Sequence, residues 1–161
     1  MIRRLLTATG AGVVAVFSLA GCASAPQAAG EAPADFALSL CIYKPATGRL
    51  PGWYVIQPDG VLRAVVGERQ ENTPLPPIVR QLDPQDRERL WELVEQAGLS
   101  AKTPPEGVVR GPEWVSSREA TATLALAAHG TRTSLVAAEQ VESITRLEGL
   151  VRELAWLSGD R

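Results

Sequence analysis

The first strong pattern in the chain is an alternation of apolar and smaller residues with a period of two, which is typical of a half-buried β-strand. Phe36, Leu38, Leu40 and Ile42 are its apolar positions. Two further apolar runs, 53–57 and 61–66, flank Pro58-Asp59-Gly60. Proline presets φ, Asp bonds to its own backbone and Gly tolerates positive φ, so the three residues predict a turn between two strands.

A helix is predicted from Asp83 to Gly98. Asp83 suits the N-cap position, and Pro84 suits the first helical position because it has no N–H to leave unpaired. Gly98 ends the pattern. One face carries the apolar positions Leu90, Leu93, Val94 and Ala97, and Trp91 lies beside them.

The C-terminal third predicts a second hairpin and a second helix. Alternating segments at 120–128 and 131–137 are separated by His129-Gly130, which suits a tight turn because His tolerates positive φ. Apolar residues then recur at helical spacing at Val141, Ile144, Leu147, Leu150 or Val151, Leu154 and Leu157. The pairs Glu142/Arg146 and Glu148/Arg152 are spaced by four residues, and we expect them on the solvated side of this helix.

These elements follow the order β-β-β-α-β-β-α. The order predicts an α+β fold, a small two-layer sandwich in which two helices cover one face of an antiparallel sheet of about five strands. The sequence does not indicate the order of the strands across that sheet.

Two long connections interrupt the pattern. Residues 67–82 are rich in proline, and residues 99–119 exceed the usual connection length in a small domain. The second connection carries a candidate interaction surface, because Trp is a preferred anchor in protein interfaces. Its residues are Arg110, Glu113, Trp114 and Arg118. The alternative is that Trp114 folds back to cap the open end of the sheet.

The N-terminus has a different character. A basic start at Arg3 and Arg4 precedes a mostly apolar run from Leu5 to Ala20. This is the layout of a secretory signal peptide. The run is too short and too rich in glycine for a membrane-spanning helix, which needs about 20 apolar residues.

Leu19-Ala20-Gly21-Cys22 resembles the lipobox of bacterial lipoproteins. The resemblance covers about the first 25 residues. It implies cleavage between Gly21 and Cys22, a diacylglycerol on the Cys22 thiol and an acyl chain on its new amine. Ala23 and Ser24 follow without an Asp, and the resemblance to lipoproteins of two-membrane bacteria then implies sorting to the outer membrane. In other bacteria the same anchor implies the outer leaflet of the cell membrane.

The predicted organisation is therefore a cleaved signal peptide over 1–21, a flexible tether over 22–35 and one globular domain over 36–161. The tether is small, polar or proline-rich, and such a segment cannot bury enough surface to offset its ordering entropy.

Charge and residue usage narrow the functions available. A chain starting at Cys22 carries 14 basic and 18 acidic side chains, so it has no electrostatic attraction for nucleic acid. His129 is the only histidine of the sequence, and its place before Gly130 favours a turn over a catalytic base. No nucleophile motif, glycine-rich phosphate loop or metal-ligand spacing is present, so no cofactor and no metal are expected.

Cys41 is the one cysteine that remains after Cys22. An unpaired thiol in an oxidising compartment is unusual. It is expected either to lie buried as a small apolar residue or to react as a redox or exchange thiol.

We therefore expect a lipid-anchored cell-envelope protein with a non-enzymatic domain that binds another envelope component, most simply a protein, as an adaptor, inhibitor or assembly factor. Two alternatives remain. One is an envelope enzyme or thiol-redox protein that uses Cys41 or the carboxylates of residues 99–119. The other is a module that binds a small ligand between Trp53, Trp91 and the sheet.

Overall fold

The computed structural model describes residues 30–45, 48–67, 75–111 and 119–156. In this part of the chain seven strands form one sheet in which every pairing is antiparallel. The strands are β1 (Ala37–Ile42), β2 (Gly52–Ile56), β3 (Val61–Val66), β4 (Ile78–Gln81), β5 (Val108–Arg110), β6 (Ala122–Ala128) and β7 (Thr131–Ala137). The helices are α1 (Pro84–Gln96) and α2 (Glu142–Trp156).

The α+β class and the antiparallel sheet with two helices are confirmed, but the prediction of about five strands is wrong. The two additional strands, β4 and β5, have four and three residues and lie at the two edges of the sheet. Both follow proline pairs, Pro76-Pro77 and Pro104-Pro105. Strands this short show no clear alternation of apolar and polar residues. Their hydrogen bonding to β3 and β7 identifies them as strands.

The strand order across the sheet is β4-β3-β2-β1-β6-β7-β5. It places β1 at the centre, between β2 and β6. The chain thus builds a meander outward from β1 on one side and a hairpin with an added edge strand on the other. The predicted turn at Pro58-Asp59-Gly60 is present, with a φ of 84° at Gly60.

The first helix begins as its capping residues predict. The Asp83 carboxylate accepts a hydrogen bond from the Asp86 N–H at 2.8 Å, and Pro84 occupies the first turn. Gly98 follows the helix with a φ of 66°, a conformation that favours glycine. Leu90 and Val94 are buried as predicted, and Trp91 is buried with them.

One hydrophobic core lies between the helices and one face of the sheet. The alternate residues of β1 that belong to it, Leu38, Leu40 and Ile42, pack with Leu90 of α1 and Leu147 of α2. We call this side of the sheet the helix face. The opposite side, which carries Ser39 and Cys41, is called the far face.

The N-terminal contacts of the domain start before β1. Pro33 is buried, and its carbonyl accepts a hydrogen bond from Arg87 of α1 at 3.2 Å. Phe36 packs edge-on against Trp91, with ring centroids 5.4 Å apart. The last residues of the predicted tether are therefore held against the domain.

Asp35 joins this N-terminal segment to the β6–β7 turn. Its carboxylate accepts hydrogen bonds from the N–H groups of His129, at 2.9 Å, and Gly130, at 2.6 Å. His129 has a φ of 53°, which confirms its predicted role in the turn. Its imidazole packs edge-on against Trp91 at 5.5 Å between ring centroids. The hydrogen bond from Gly130 is the main reason why the pKa of Asp35 is lowered.

Asp35 should make the stability of the domain depend on pH in the acid range. Because its pKa is lower in the folded protein, its contribution is present above the usual value of 3.8 and is lost as the pH falls through the folded value. Asp35→Asn should lower the free energy of unfolding at pH 7 by about 1 kcal/mol, a figure already reduced for the exposure of the carboxylate. Urea unfolding of both proteins from pH 7 to pH 2 measures this. A difference that stays constant to pH 2 would contradict it.

Neither described helix is long and apolar enough to cross a membrane.

Candidate functional site

One side of α2 carries Glu148, Arg152 and Trp156 at successive intervals of four residues. A helix has 3.6 residues per turn, so the three side chains lie along one face. Glu148 is 1% exposed. The prediction that the Glu148/Arg152 pair lies on the solvated side of the helix is therefore wrong. The pair forms, but at the boundary of the core, because the chain that precedes β2 covers it.

Two arginines neutralise the buried carboxylate. Arg152 Nε donates to Glu148 Oε1 at 2.7 Å, and Arg49 Nη1 lies 3.9 Å from Glu148 Oε2. Arg152 also donates through Nη2 to the carbonyl of Leu50. Because Arg49 and Leu50 belong to the segment before β2, these contacts tie that segment to α2. A buried carboxylate needs such partners, since desolvation of an unpaired charge is costly.

Tyr54 of β2 lies beneath this ion pair. The guanidinium carbon of Arg152 is 5.7 Å from the centroid of its ring, and Trp156 packs edge-on against it at 6.5 Å between centroids. Both distances are within the range of favourable cation–π and aromatic contacts. Tyr54 thus packs against both Arg152 and Trp156 from the strand that lies below them.

The phenol of Tyr54 is buried, and its hydroxyl has no hydrogen-bond partner among the described residues. Burial raises the pKa of Tyr54 to about 12. Tyr54 is therefore a neutral phenol at physiological pH. It contributes packing and a weak dipole rather than a charge.

Above this buried layer, two large apolar side chains face solvent. Leu50 is 62% exposed and Trp156 is 54% exposed. Arg49 is partly exposed beside them. We define the Leu50–Trp156 surface as Arg49, Leu50, Arg152 and Trp156. Trp and Arg are enriched among the residues that dominate protein interfaces, and rigid support lowers the entropy lost when such side chains are immobilised.

The charged groups beneath this surface are already engaged. Glu148 is held by two guanidinium groups, and Tyr54 keeps its proton. Within the described ranges, no three His, Cys, Asp or Glu side chains lie close enough together to hold a metal ion.

Most of the site residues predicted from the sequence fall outside the described residues. Gly21 and Cys22 do so, as do Glu113, Trp114 and Arg118. Arg110 lies on the edge strand β5, where its guanidinium donates to the carbonyl of Lys102 at 3.2 Å. This strand is at the opposite edge of the sheet from β4, so Arg110 is remote from Tyr54 and the Leu50–Trp156 surface.

Cys41 is buried on the far face, where its strand neighbours are Trp53 of β2 and Thr123 of β6. The Trp53 indole N–H donates to Ser39 Oγ at 3.2 Å, so Trp53 lies on the same face. Trp91 belongs to the core on the helix face. Since the sheet separates the two indoles, they do not line one common pocket.

Sequence reasoning missed the Leu50–Trp156 surface. The four-residue spacing of Glu148 and Arg152 was a signal, and extending it by four residues reaches Trp156. No sequence pattern indicated a role for Leu50, because it lies in a connection without hydrophobic periodicity. Only the fold brings that connection to α2.

No protein-family model matches the chain, and no curated protein matches it significantly.

Proposed function

We propose that the protein is a lipid-anchored cell-envelope protein whose non-enzymatic domain binds an envelope protein through the Leu50–Trp156 surface. The observation that carries the binding role is the exposure of Trp156 and Leu50 over a buried ion pair and a buried tyrosine. The lipid anchor is supported by the lipobox at 19–22 and the signal peptide before it.

The chemistry of the surface indicates the kind of partner that fits. Leu50 and Trp156 suit an apolar contact. Arg49 is the more exposed of the two arginines, and its Glu148 contact is long, at 3.9 Å. A carboxylate of the partner beside an apolar side chain would complement it, because Arg pairs with carboxylates through two parallel hydrogen bonds. The anchor would keep this surface at the outer membrane, or at the cell membrane where there is only one.

In-cell photo-crosslinking tests the binding role. A benzophenone amino acid at position 156 should form a discrete adduct with an envelope protein. The matched control is position 109 on β5, because Val109 is 61% exposed but lies at the other edge of the sheet. The position-156 adduct should decrease severalfold when Arg49→Glu is added. The melting temperature of each variant checks that the fold is intact.

The same preparation tests the anchor. Its intact mass should equal residues 22–161 plus a diacylglycerol and one amide-linked acyl chain. An unlipidated chain would overturn the anchor. Equal adducts from positions 156 and 109, or none from position 156, would overturn the Leu50–Trp156 surface as the binding site.

A further inference from the structure

Residues 32–36 precede β1 and are docked on the domain. Pro33 is buried, and its carbonyl accepts hydrogen bonds from Arg87 Nη2, at 3.2 Å, and from the Phe36 N–H, at 2.9 Å. The Asp35 carboxylate binds the β6–β7 turn, and Ala32 packs against the core. Because these contacts involve α1 and the β6–β7 turn as well as β1, the point at which the chain enters the domain is fixed.

This entry point lies at one end of the strands. Arg87, which binds the Pro33 carbonyl, is close to the β2–β3 turn, because a Cβ atom added to Gly60 would lie 3.4 Å from Arg87 Cδ. The chain that leads into α1 is at the same end, since the Leu82 N–H donates to the Gly60 carbonyl at 2.9 Å. The β6–β7 turn, which Asp35 binds, completes the group. We call this end of the domain the tether pole.

The Leu50–Trp156 surface extends to the opposite pole. In the antiparallel pairing of β1 with β2, Gly52 lies opposite Ile42, the last residue of β1. Leu50 precedes Gly52 by two residues, so it lies beyond the end of β1 that is remote from the tether pole. Trp156 packs against Tyr54, whose hydroxyl is directed to Gly52. β1 has six residues, which separates the two poles by about 20 Å.

The composition of this surface would by itself also suit a lipid bilayer. Tryptophan is enriched where membranes meet water, and arginine can keep its charge in water while its stem covers apolar groups. The choice between a bilayer and a protein therefore depends on how the anchor orients the domain.

The length of the predicted tether opposes contact between the opposite pole and the bilayer. Ten residues, 22–31, precede Ala32, and the first of them is the predicted lipidated residue. A flexible chain of this length has a root-mean-square end-to-end distance of roughly 17 Å. For Leu50 to reach the bilayer, the tether would have to stretch alongside the whole domain, and a stretched chain loses conformational entropy.

We propose that the anchor holds the tether pole toward the bilayer and presents the Leu50–Trp156 surface to the aqueous compartment, where its partner is the water-exposed, membrane-proximal part of an envelope protein. This inference rests on the lipid anchor and the binding role proposed above. A fully extended tether reaches about 35 Å and the domain adds about 20 Å, so the contact with the partner lies within roughly 55 Å of the anchoring leaflet.

Energy transfer to labelled lipids measures the orientation. A chain that begins at Cys22 is coupled through this thiol to a maleimide phospholipid, because Cys41 is buried. It is placed in phosphatidylethanolamine–phosphatidylglycerol vesicles that carry rhodamine on some headgroups. A donor dye is attached to an azidophenylalanine at position 85, 50 or 138. Gln85 is exposed at the tether pole, whereas Leu50 and Ala138 are exposed at the opposite pole. Position 138 is the matched control, because it lies outside the Leu50–Trp156 surface.

Transfer should be strongest from position 85 and at least about twofold weaker from positions 50 and 138, because about 20 Å separates the two poles. Ten Gly/Ser residues inserted between Gly30 and Glu31 should reduce this difference, since a longer flexible chain restricts the orientation less. Circular dichroism of each labelled protein checks that the fold is intact.

Strongest transfer from position 50 would overturn the inference and place the Leu50–Trp156 surface on the bilayer. Equal transfer from all three positions would also overturn it, and so would a difference that the Gly/Ser insertion leaves unchanged. Failure of the proposed function is detected separately, as an unlipidated native chain in the intact mass or as a missing adduct from position 156. The coupled phospholipid keeps the orientation measurable in either case.

Discussion

Replacing Arg152 with alanine is expected to lower the free energy of unfolding by about 3 kcal/mol. Glu148 would then be a buried carboxylate whose remaining ion-pair contact among the described residues is the 3.9 Å approach of Arg49. Removing one partner of a buried ion pair typically costs about 3–5 kcal/mol, and the partial exposure of Arg152 places the expected value at the lower end. The cation–π contact with Tyr54 and the hydrogen bond to Leu50 would be lost as well.

Arg146→Ala is the control for this variant, because Arg146 lies on the same helix and faces solvent. It should change stability by no more than about 0.5 kcal/mol. Chemical denaturation followed by circular dichroism measures both variants. Equal stabilities of the two proteins would show that the Glu148/Arg152 pair does not hold α2 to the segment before β2.

A double substitution separates two contributions to the free energy of unfolding. One is the cost of leaving the Glu148 carboxylate buried without Arg152, and the other is the net contribution of the Glu148/Arg152 ion pair. Glu148→Met with Arg152→Leu removes both charges and keeps apolar volume. Such replacements are often neutral or stabilising, so the double variant should recover most of the loss seen with Arg152→Ala. If crosslinking from position 156 also weakens in the double variant, the ion pair serves to position Trp156.

Replacing Gly52 with alanine is expected to destabilise the domain by about 3 kcal/mol. A Cβ atom at this position would lie 2.7 Å from Tyr54 Cζ and 2.8 Å from Tyr54 Cε2, well inside contact distance. Tyr54 is completely buried and cannot move without displacing its neighbours. Overpacking of this kind typically costs about 1–3 kcal/mol, and an aromatic ring without room places the value at the upper limit.

A glycine-to-alanine substitution at position 149 is expected to stabilise the domain instead. Gly149 lies within α2, and a Cβ there would meet nothing within 4 Å. Gly149→Ala should therefore stabilise the domain by about 0.5–1 kcal/mol, because alanine loses less backbone entropy in a helix. Thermal unfolding of the Gly52→Ala and Gly149→Ala proteins measures the two changes in stability. A Gly52→Ala protein as stable as the parent would mean that Tyr54 is less tightly held than the structure shows.

Tyr54→Phe tests the buried hydroxyl by itself. Because the described part of the chain offers this hydroxyl no hydrogen-bond partner, its removal should leave stability unchanged or raise it slightly. A large loss would indicate that the phenol makes a hydrogen bond, for instance to a bound water.

Local patterns were sufficient to predict five of the seven described strands and both helices. Asp83 and Pro84 started α1 as expected, Gly60 turned the β2–β3 hairpin, and His129 adopted positive φ before Gly130. These features depend on interactions within a few residues of sequence, and each residue type has one clear conformational role. The edge strands β4 and β5 were missed because short segments become strands only when a neighbour provides hydrogen bonds.

The candidate surface depended on contacts between distant parts of the chain. Leu50 reaches Arg152 across about one hundred residues of sequence, so no local pattern indicates the contact. The centre of the sheet likewise needs β1 and β6 to be neighbours, although most of the domain separates them in sequence.

The sequence by itself determined the period of the five longer strands and of both helices, the capped start of α1 and the lipobox-like motif at residues 19–22. Short-range sterics, local hydrogen bonds and a linear motif carry that information. Only the tertiary structure decided the strand order, the burial of Glu148 and the assembly of the Leu50–Trp156 surface. These features depend on how the amphipathic strands and helices pack their apolar faces against one another. No single segment of the sequence determines that packing, because it minimises the free energy of the whole domain.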